Sequence, residues 1–296
     1  MLFVPSYNEK FMNKAKKSSA DALILDLEDS VPYSLKFNGR EMIKNCLSNN
    51  QYQGYFVLIR VNSLGTKELY NDLDLLSSPK IDGLMLPKIN SAKDIHKFES
   101  LIEEREIKND FEVGKIKFIP LIETAKSLLQ LEKIVTSSKR IIAVAFGGED
   151  YLDSINGIHT EVGLNFLEPR TKLVQVARSY DIEAIDTPYL NFRDEIGFRK
   201  QGRLSKEIGF SGSLVLTPSQ AIWANDIFSP SIEEIEKSKK IVESLKNSQQ
   251  NGNGVVVLDD EMFGLPMFKR AEKILEFANL IEIKNEKIKL EKTEIF

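Results

Sequence analysis

The sequence predicts an α/β fold, a (β/α)₈ TIM barrel with a C-terminal helical appendage. Short apolar runs rich in β-branched residues recur along the chain, each long enough for a buried strand and too short for a helix. Amphipathic helical patterns lie between them. The runs begin about every 30 residues, which is the size of a strand, a helix and two loops. They occupy residues 2–5, 22–29, 55–62, 83–89, 117–124, 141–150, 183–189 and 212–218.

These runs are apolar throughout, which is typical of parallel strands covered by helices on both faces. Eight such units fit a closed barrel of about 250 residues, which has no exposed edge strands. A doubly wound open sheet is the alternative, but its phosphate-binding Gly-x-Gly-x-x-Gly turn is absent from the sequence. We therefore predict a barrel domain over residues 1–222 and a helical extension over residues 223–296.

The extension begins with Ser231-Ile232-Glu233-Glu234, a capping box that predicts the start of a helix with Ile232 and Leu245 on its buried side. The remainder is predicted as a polar, glycine-rich loop at 247–254, an apolar run at 255–258, an amphipathic helix at 268–281 and a charged, frayed end at 284–296.

Composition narrows the classes of partner. With 40 Lys and Arg against 44 Asp and Glu, the formal charge of −4 offers no clustered positive surface for nucleic acid or anionic lipid. No apolar stretch reaches the roughly 20 residues of a membrane helix, and the first residues do not resemble a secretory signal. We therefore expect a cytoplasmic protein without nucleic-acid or membrane partners.

The histidines and the cysteine exclude two further kinds of site. Cys46 is the only cysteine, so it forms no intramolecular disulfide, and its apolar context predicts a buried helical thiol. His96 and His159 are far apart and have no cysteine partners, which excludes the usual zinc spacings. A metal bound here should be one that prefers oxygen ligands.

Polar residues, most of them acidic, close nearly every predicted strand, at the end of the barrel where chemistry is expected. Carboxylates gathered at one rim repel each other unless a cation lies among them, and a divalent ion would serve. Six strand ends carry such residues: 26–29, 60–62, Lys88, Glu123 with Thr124, Glu149 with Asp150, and Asp186.

Glu123 and Asp150 end successive strands and are the best candidate ligands for Mg²⁺, which takes few protein carboxylates. Arg60 offers a planar fork for a substrate carboxylate. A metal on the keto oxygen of a 2-oxo acid would stabilise an enolate at the next carbon. This pattern points to a reaction that makes or breaks a carbon–carbon bond.

Simpler interpretations remain open for the two cations of this set. Arg60 and Lys88 could neutralise Glu28 and Glu123 as structural ion pairs. Lys88 could also act as a Schiff-base nucleophile in a metal-free aldolase, although neighbouring carboxylates raise the pKa of a lysine and oppose this role.

The same residues resemble the citrate lyase β-subunit-like branch of the HpcH/HpaI aldolase family over about residues 1–275. The resemblance implies a (β/α)₈ barrel that assembles as a trimer or hexamer, with an extension that contacts a neighbouring subunit. Relatives form or cleave citryl-, malyl- or citramalyl-CoA thioesters. The matching motifs are Leu25-Asp26-Leu27-Glu28-Asp29, Arg60-Val61-Asn62, Leu86-Pro87-Lys88, Ile122-Glu123-Thr124, Phe146-Gly147-Gly148-Glu149-Asp150 and Asp186-Thr187-Pro188-Tyr189.

The resemblance also implies roles for single residues. Mg²⁺ would bind Glu123 and Asp150, and Arg60 would hold the oxo-acid: pyruvate, oxaloacetate or glyoxylate. Glu28 would support the metal through its waters, and Asp29 occupies the position of a proton-transfer histidine in free-acid aldolases. Lys88 is also predicted to be a catalytic residue. Residues expected to line the substrate pocket with Arg60 are Gly148, Glu149 and Pro188.

Some positions differ from the relatives that act on thioesters. Ser213 and Thr217 replace a lysine and a histidine, and no Arg-Ser pair precedes the first strand. Gly264 stands where those relatives have an aspartate that reaches a neighbouring subunit's site. In the alternative, Asp259, Asp260 or Glu261 takes over the role of that aspartate from a shifted loop. Three functions follow: a Mg²⁺-dependent lyase or aldolase using CoA thioesters, an aldolase acting on free-acid or carbohydrate-derived substrates, and a non-catalytic oxo-acid-binding homologue.

Overall fold

The computed structural model describes residues 1–160, 163–250, 255–258 and 261–293 of the chain. Eight parallel strands follow one another in chain order, each paired with the next. Backbone hydrogen bonds between residues 1–3 and 213–215 join the last strand to the first, so the sheet closes into the predicted barrel. The strands are β1 Leu2–Pro5, β2 Ala22–Asp26, β3 Phe56–Arg60, β4 Gly83–Leu86, β5 Lys117–Ile122, β6 Ala143–Phe146, β7 Glu183–Asp186 and β8 Gly212–Ser213.

Helices alternate with these strands and cover the outside of the barrel. Short 3₁₀ turns at Tyr33–Leu35 and Asp74–Ser77 precede α2 and follow α3. The helices are α1 Glu9–Ala15, α2 Lys36–Ser48, α3 Lys67–Leu73, α4 Ala92–Lys108, α5 Ala125–Leu129, α6 Leu131–Val135, α7 Gly148–Ser154, α8 Leu164–Ser179, α9 Glu195–Ile208 and α10 Pro218–Phe228.

All eight predicted strands are present, but most end earlier than their apolar runs. Residues 27–29, for example, leave the β2 ladder, and residues 148–150 form the first turn of α7 rather than the end of β6. Most acidic residues of the predicted rim therefore lie just beyond the ladders, in loops and helix starts at the C-terminal end of the barrel, whereas Asp26 and Arg60 are the last residues of β2 and β3.

Two apolar layers hold the barrel together. The larger lies between strands and helices and includes Cys46, which is buried on α2 as predicted. A smaller cluster fills the interior of the barrel below the rim, formed by Ile24, Leu58, Met85, Ile119, Leu121, Ala143, Ala145, Ile185 and Leu214.

The chain divides into two compact units, Met1–Phe228 and Ser229–Phe296. The first ends six residues beyond the boundary predicted at 222, because α10 is one continuous helix. Among the described residues, none of the helices combines the length and the apolar character needed to cross a membrane.

The second unit contains α11 Ile232–Gln250, a hairpin of β9 Val256–Leu258 and β10 Glu261–Phe263, and α12 Leu265–Thr293. The Ser231 capping box is confirmed by both of its hydrogen bonds. Ile232 was predicted to be buried but is 73% exposed, and α11 and α12 extend into the predicted loop and frayed end. Both helices carry enough helix-forming Lys, Glu and Leu to continue past the apolar pattern.

Candidate active site

Arg60 and Asp26 pair at the C-terminal ends of β2 and β3, where they lie side by side in the parallel ladder. The Asp26 carboxylate, fully buried, accepts hydrogen bonds from Arg60 Nε at 2.7 Å and Nη2 at 2.6 Å. Burial opposes the charge on Asp26, but Arg60 outweighs it and holds the pKa of this carboxyl below its ordinary value. This pairing fixes the guanidinium plane and leaves the Nη1 end for another anion.

The Nη1 end of Arg60 faces Glu28, whose Oε2 lies 3.3 Å away. The guanidinium carbon also lies 4.8 Å from the centre of the Phe3 ring, a cation–π contact with β1. The interpretation of Arg60 and Glu28 as a structural ion pair is compatible with this contact, and Arg60 lies between two carboxylates, Asp26 on one edge and Glu28 on the other.

Glu28 is 6% exposed and follows β2 by two residues. Its amide donates to Asp26 Oδ1 at 2.9 Å, and its own Oε2 accepts the amide of Asp29 at 3.2 Å. Burial raises the pKa of Glu28 to about 7 even though Arg60 pulls it down. The cluster around Glu28 is therefore short of positive charge at neutral pH.

Lys88 contacts both predicted metal ligands. Its φ of +55° lies in the left-handed region, and there its amide donates to Glu123 Oε1 at 2.5 Å and its Nζ to Asp150 Oδ1 at 2.5 Å. Nζ is also 3.6 Å from Asp29 Oδ2. Burial opposes the ammonium charge, but the hydrogen bond to Asp150 and the surrounding carboxylates outweigh it and raise the pKa of Lys88. Lys88 is therefore protonated at neutral pH.

Glu123 follows β5, and its side chain is 3% exposed. Burial raises the pKa of Glu123 to about 7 despite the opposing effect of Lys88. A Cβ on Gly147 would stand 2.5 Å from Glu123 Cβ and 2.9 Å from its Oε2. Glycine is therefore required at 147, where the bare backbone and the Lys88 amide together fix the carboxylate.

The first turn of α7 brings the remaining rim residues. Asp150 is 44% exposed and contacts Lys88, whereas Glu149 faces His159, with 2.9 Å between Oε2 and Nε2. The amide of Gly148 donates to Thr187 Oγ1 at 3.0 Å. Glu149 and Gly148 are thus placed at the edge and floor of the cluster, with partners of their own.

The end of β7 adds no carboxylate to the rim. Asp186 is fully buried and bound by Arg170 and Ser205 from the covering helices. The prediction that Asp186 belongs to the acidic rim is wrong, because the neighbouring Ile185 packs in the barrel interior and Asp186 therefore faces the helices. Pro188, two residues further, is half-buried.

The structure thus brings together one set of charged residues, which we call the rim cluster: Asp26, Glu28, Asp29, Arg60, Lys88, Glu123 and Asp150. Carboxylates outnumber cations in it by five to two. Its members come from the ends of β2 to β6, on separate strands of one barrel, as catalytic residues of this fold do.

The rim cluster fits a divalent cation that prefers oxygen ligands. Carboxylate oxygens of Asp29, Glu123 and Asp150 all lie within 4.0 Å of Lys88 Nζ, so this position already accommodates a positive charge. In the part of the chain that the structure describes, no three Asp, Glu, His or Cys side chains form a preformed metal cage. A site with two carboxylates that leaves other positions to water and substrate is typical of Mg²⁺.

Two of the differing positions lie away from the barrel interior. Leu214 packs in the interior cluster, so Ser213, its neighbour in the chain, faces the surrounding helices. A lysine at 213 would not line the interior, so its replacement removes no charge there. Thr217 Oγ1 accepts the amide of Gln220 at 3.2 Å and caps α10.

In the second unit, a Cβ on Gly264 would have its nearest neighbours at 3.9 and 4.0 Å. The backbone there does not require glycine, and an aspartate would fit. Glu261 pairs with Lys237 at 2.7 Å. Asp259 and Asp260 lie outside the described residues.

Gly147 is a site residue that sequence reasoning did not single out. The signal was present in Gly147-Gly148 directly before Glu149 and Asp150, since paired glycines often mark a close approach of backbone to another group. What approaches, the Glu123 carboxylate from the neighbouring strand, is visible only in the fold.

Comparison with known proteins agrees with this geometry. The family model described as HpcH/HpaI aldolase/citrate lyase matches residues 1–218. The chain is 32% identical to citrate lyase subunit beta of Haemophilus influenzae, over 94% of this chain and 96% of that protein. It is 30% identical to the mitochondrial citramalyl-CoA lyase of Homo sapiens, over 96% of this chain and 86% of that one.

Among solved structures, CitE from Mycobacterium tuberculosis in complex with magnesium, acetoacetate and coenzyme A matches with a TM-score of 0.76. The sequence identity is 22%, and the match covers 94% of this chain and 97% of the other. At this identity the likeness establishes the shared fold.

Proposed function

The chain belongs to the HpcH/HpaI aldolase/citrate lyase family, and from this premise we propose that it is a Mg²⁺-dependent carbon–carbon lyase acting on an oxo-acid. The observation that carries the proposal is the rim cluster, in which one guanidinium and two metal-binding carboxylates meet at the C-terminal end of one barrel. Citrate lyase subunit beta and citramalyl-CoA lyase, its named relatives, are carbon–carbon lyases.

Glu123 and Asp150 would hold the ion, because their carboxylates follow neighbouring strands and approach one point, which the Lys88 ammonium takes up at 4.0 and 2.5 Å from them. When bound, Mg²⁺ would supply positive charge beside the substrate oxygen that loses its proton and becomes the keto oxygen of the oxo-acid. Glu123, fixed by the Lys88 amide and Gly147, keeps this charge in one place without reorganisation.

Arg60 would bind the carboxylate of the oxo-acid through its Nη1 end, in place of its 3.3 Å contact with Glu28, since Asp26 occupies the other edge. The bidentate Asp26 contact stops the guanidinium from rotating, so the substrate is held in one orientation. Phe3, packed on the guanidinium, shields it from water on one side.

Proton transfer falls to Asp29, which is 60% exposed at the rim and 3.6 Å from Lys88 Nζ. In the cleavage direction, the Asp29 carboxylate takes the proton of the substrate hydroxyl as this oxygen becomes a ketone. The same proton then returns to the carbon that leaves. Glu28 keeps Asp29 in place through the hydrogen bond from the Asp29 amide to its Oε2.

Lys88 acts as a charged hydrogen-bond donor in this proposal. A Schiff base requires a neutral amine, whereas the carboxylates around Lys88 raise the pKa of its ammonium. Borohydride treatment with pyruvate should therefore leave the lysine unmodified.

We further propose a CoA thioester as the substrate that is cleaved, because citramalyl-CoA lyase is one of the relatives that match nearly the whole chain, at 30% identity. Residues 255–266 would close the site of a neighbouring subunit in a trimer or hexamer. Gly264 would then be the position from which thioester-cleaving relatives supply an acid/base group. The cytoplasmic location stays a prediction.

The first test measures cleavage of citryl-, malyl- and citramalyl-CoA by the purified protein with Mg²⁺, alongside Asp150→Ala. The rate should fall by about 10²-fold or more, because one ligand of the ion is lost. Asp153→Ala is the matched control, since Asp153 is exposed on the same helix and belongs to no part of the rim cluster. Equal rates for both variants would reject the metal assignment.

A second test separates the candidate substrates. At a concentration a hundred times the Kd of the thioester, the thioester should raise the free energy of unfolding by about 2.7 kcal/mol, and a free acid at the same concentration, which binds more weakly, should raise it less. Gly264→Asp should increase thioester cleavage by about 10²-fold or more if a missing proton-transfer group limits the rate. Pyruvate binding without turnover of any substrate would instead favour the non-catalytic homologue.

A further inference from the structure

Lys36 is buried, with only 9% of its surface exposed, although it is the first residue of α2. A cation at this position is unfavourable, because the N-terminal end of a helix carries partial positive charge. Burial of an ammonium group is a further cost unless hydrogen bonds compensate it. The contacts of the Lys36 side chain must therefore explain why a lysine occupies this position.

The Nζ of Lys36 has three acceptors for its three N–H groups. They are the carbonyl oxygens of Leu27 at 2.8 Å and Glu28 at 3.1 Å, and Asn62 Oδ1 at 2.6 Å. Two of the three belong to the backbone that follows β2, and the third lies two residues after Arg60. Lys36 thus connects the ends of two neighbouring strands of the rim cluster.

Asn62 completes this connection. Its Nδ2 donates to the Leu27 carbonyl at 3.0 Å and to Asp72 Oδ2 at 2.6 Å, and Asp72 is bound in turn by Arg40 at 2.9 Å. These groups lie under the segment that carries Glu28, with their charges compensated within the network. The segment has few free donors or acceptors with which to shift.

We propose that Lys36 is a positioning residue for the reaction, a role that rests on the proposed function. Arg60 and Asp26 hold the segment after β2 by its side chains, and Lys36 holds it by its carbonyl groups. Without Lys36, Glu28 and Asp29 lose their fixed place relative to Arg60. A displacement of about 1 Å in such groups costs roughly 10²-fold in rate.

The test compares Lys36→Met with Lys44→Met, which lies on the same helix, is half exposed and pairs with Glu41 at the surface. Turnover per folded molecule should fall by about 10²-fold for Lys36→Met and stay unchanged for Lys44→Met. Mg²⁺ affinity by calorimetry should change less than threefold, because Lys36 contacts neither Glu123 nor Asp150. Lys36→Gln, which keeps two N–H donors, replaces the first variant if that one does not fold.

A double-mutant cycle separates positioning from simple stabilisation. In an Asp29→Asn background, removal of Lys36 should cost less than threefold in rate, because the proton-transfer residue that Lys36 positions is already lost. A full 10²-fold loss in that background would overturn the inference, and so would wild-type turnover by folded Lys36→Met. An inactive wild-type protein would instead overturn the proposed function. The inference about Lys36 would then be tested by the Arg60–Glu28 distance in a crystal structure of the Lys36→Met variant. An unchanged 3.3 Å would reject it.

Discussion

Buried glutamates lie at both ends of the barrel, in two very different settings. At the N-terminal end, Glu106 accepts hydrogen bonds from Arg140 at 2.8 and 2.6 Å and from the amides of Gly114 and Ile116. Burial opposes the charge of Glu106, but these donors outweigh it and hold the pKa of Glu106 below its ordinary value. This carboxylate has every partner it needs.

At the C-terminal rim, Glu123 is about as deeply buried, but among the described residues the Lys88 amide is its one hydrogen-bond donor. Burial raises its pKa to about 7, and Asp150 nearby adds to this. From this difference in pKa and in partners we infer different roles for the two glutamates. The Glu106 pair is complete and stabilises the fold, whereas the rim holds unsatisfied negative charge that a metal ion and a substrate would complete.

Replacement of glutamate by glutamine at each end should give the largest difference in turnover and stability between the two ends. Glu123→Gln should reduce Mg²⁺-dependent turnover by about 10³-fold, because an essential ligand charge is lost, with little loss of stability. Glu106→Gln should reduce the free energy of unfolding by about 3–5 kcal/mol, because Arg140 is left buried without its anion. Its turnover per folded molecule should stay normal.

Activity assays and urea unfolding of both variants measure these effects. Equal destabilisation by Glu123→Gln and Glu106→Gln would contradict this prediction. Such a result would place the two glutamates in the same structural role.

The sequence predicted the barrel and most of the rim for a physical reason. Strand spacing and apolar runs are local properties, and parallel strands in a closed barrel bring all their C-terminal ends to one rim. Arg60, Lys88, Glu123 and Asp150 therefore followed from chain order alone. The exact strand ends did not, because hydrophobicity does not show where the ladder of hydrogen bonds stops.

Pairings that depend on helix packing escaped sequence reasoning. Asp186 ends a strand as Asp26 does, but Arg170 reaches it from α8, and nothing local in the sequence shows that approach. Lys36 was missed for the same reason. A lysine at the start of a helix is expected in solvent, and only the fold places it beneath the Leu27 and Glu28 carbonyls.

Two glycines offer a matched steric test at the two ends. A Cβ on Gly147 would stand 2.5 Å from Glu123 Cβ, and one on Gly83 would stand 2.5 Å from the Lys117 carbonyl at the N-terminal end. Gly147→Ala should weaken Mg²⁺ binding by about 10–100-fold, because it displaces a ligand. Gly83→Ala should lower stability and leave the Mg²⁺ affinity of the folded protein unchanged. Calorimetric titration would contradict the assignment if both variants lost affinity equally.

The pH dependence of stability without metal gives a further contrast, because the two ends act in different pH ranges. Glu123 has a folded pKa of about 7 against an ordinary value of 4.5, so its contribution is complete below pH 4.5 and is lost as the pH rises to 7. For a group with this shift, the loss is on the order of 3 kcal/mol. Glu106 has a lowered pKa, so its contribution is present above pH 4.5 and is lost only in more acidic solution.

Urea unfolding in a chelator should therefore show declining stability from pH 5 to 7. The Glu123→Gln variant should show a weaker decline, and the Glu106→Gln variant should show the same decline as the wild type. Saturating Mg²⁺ should reverse the slope, because the ion binds the ionised carboxylate. A flat profile in the chelator would mean that the rim carboxylates are already satisfied, and the contrast between the two ends would then be lost.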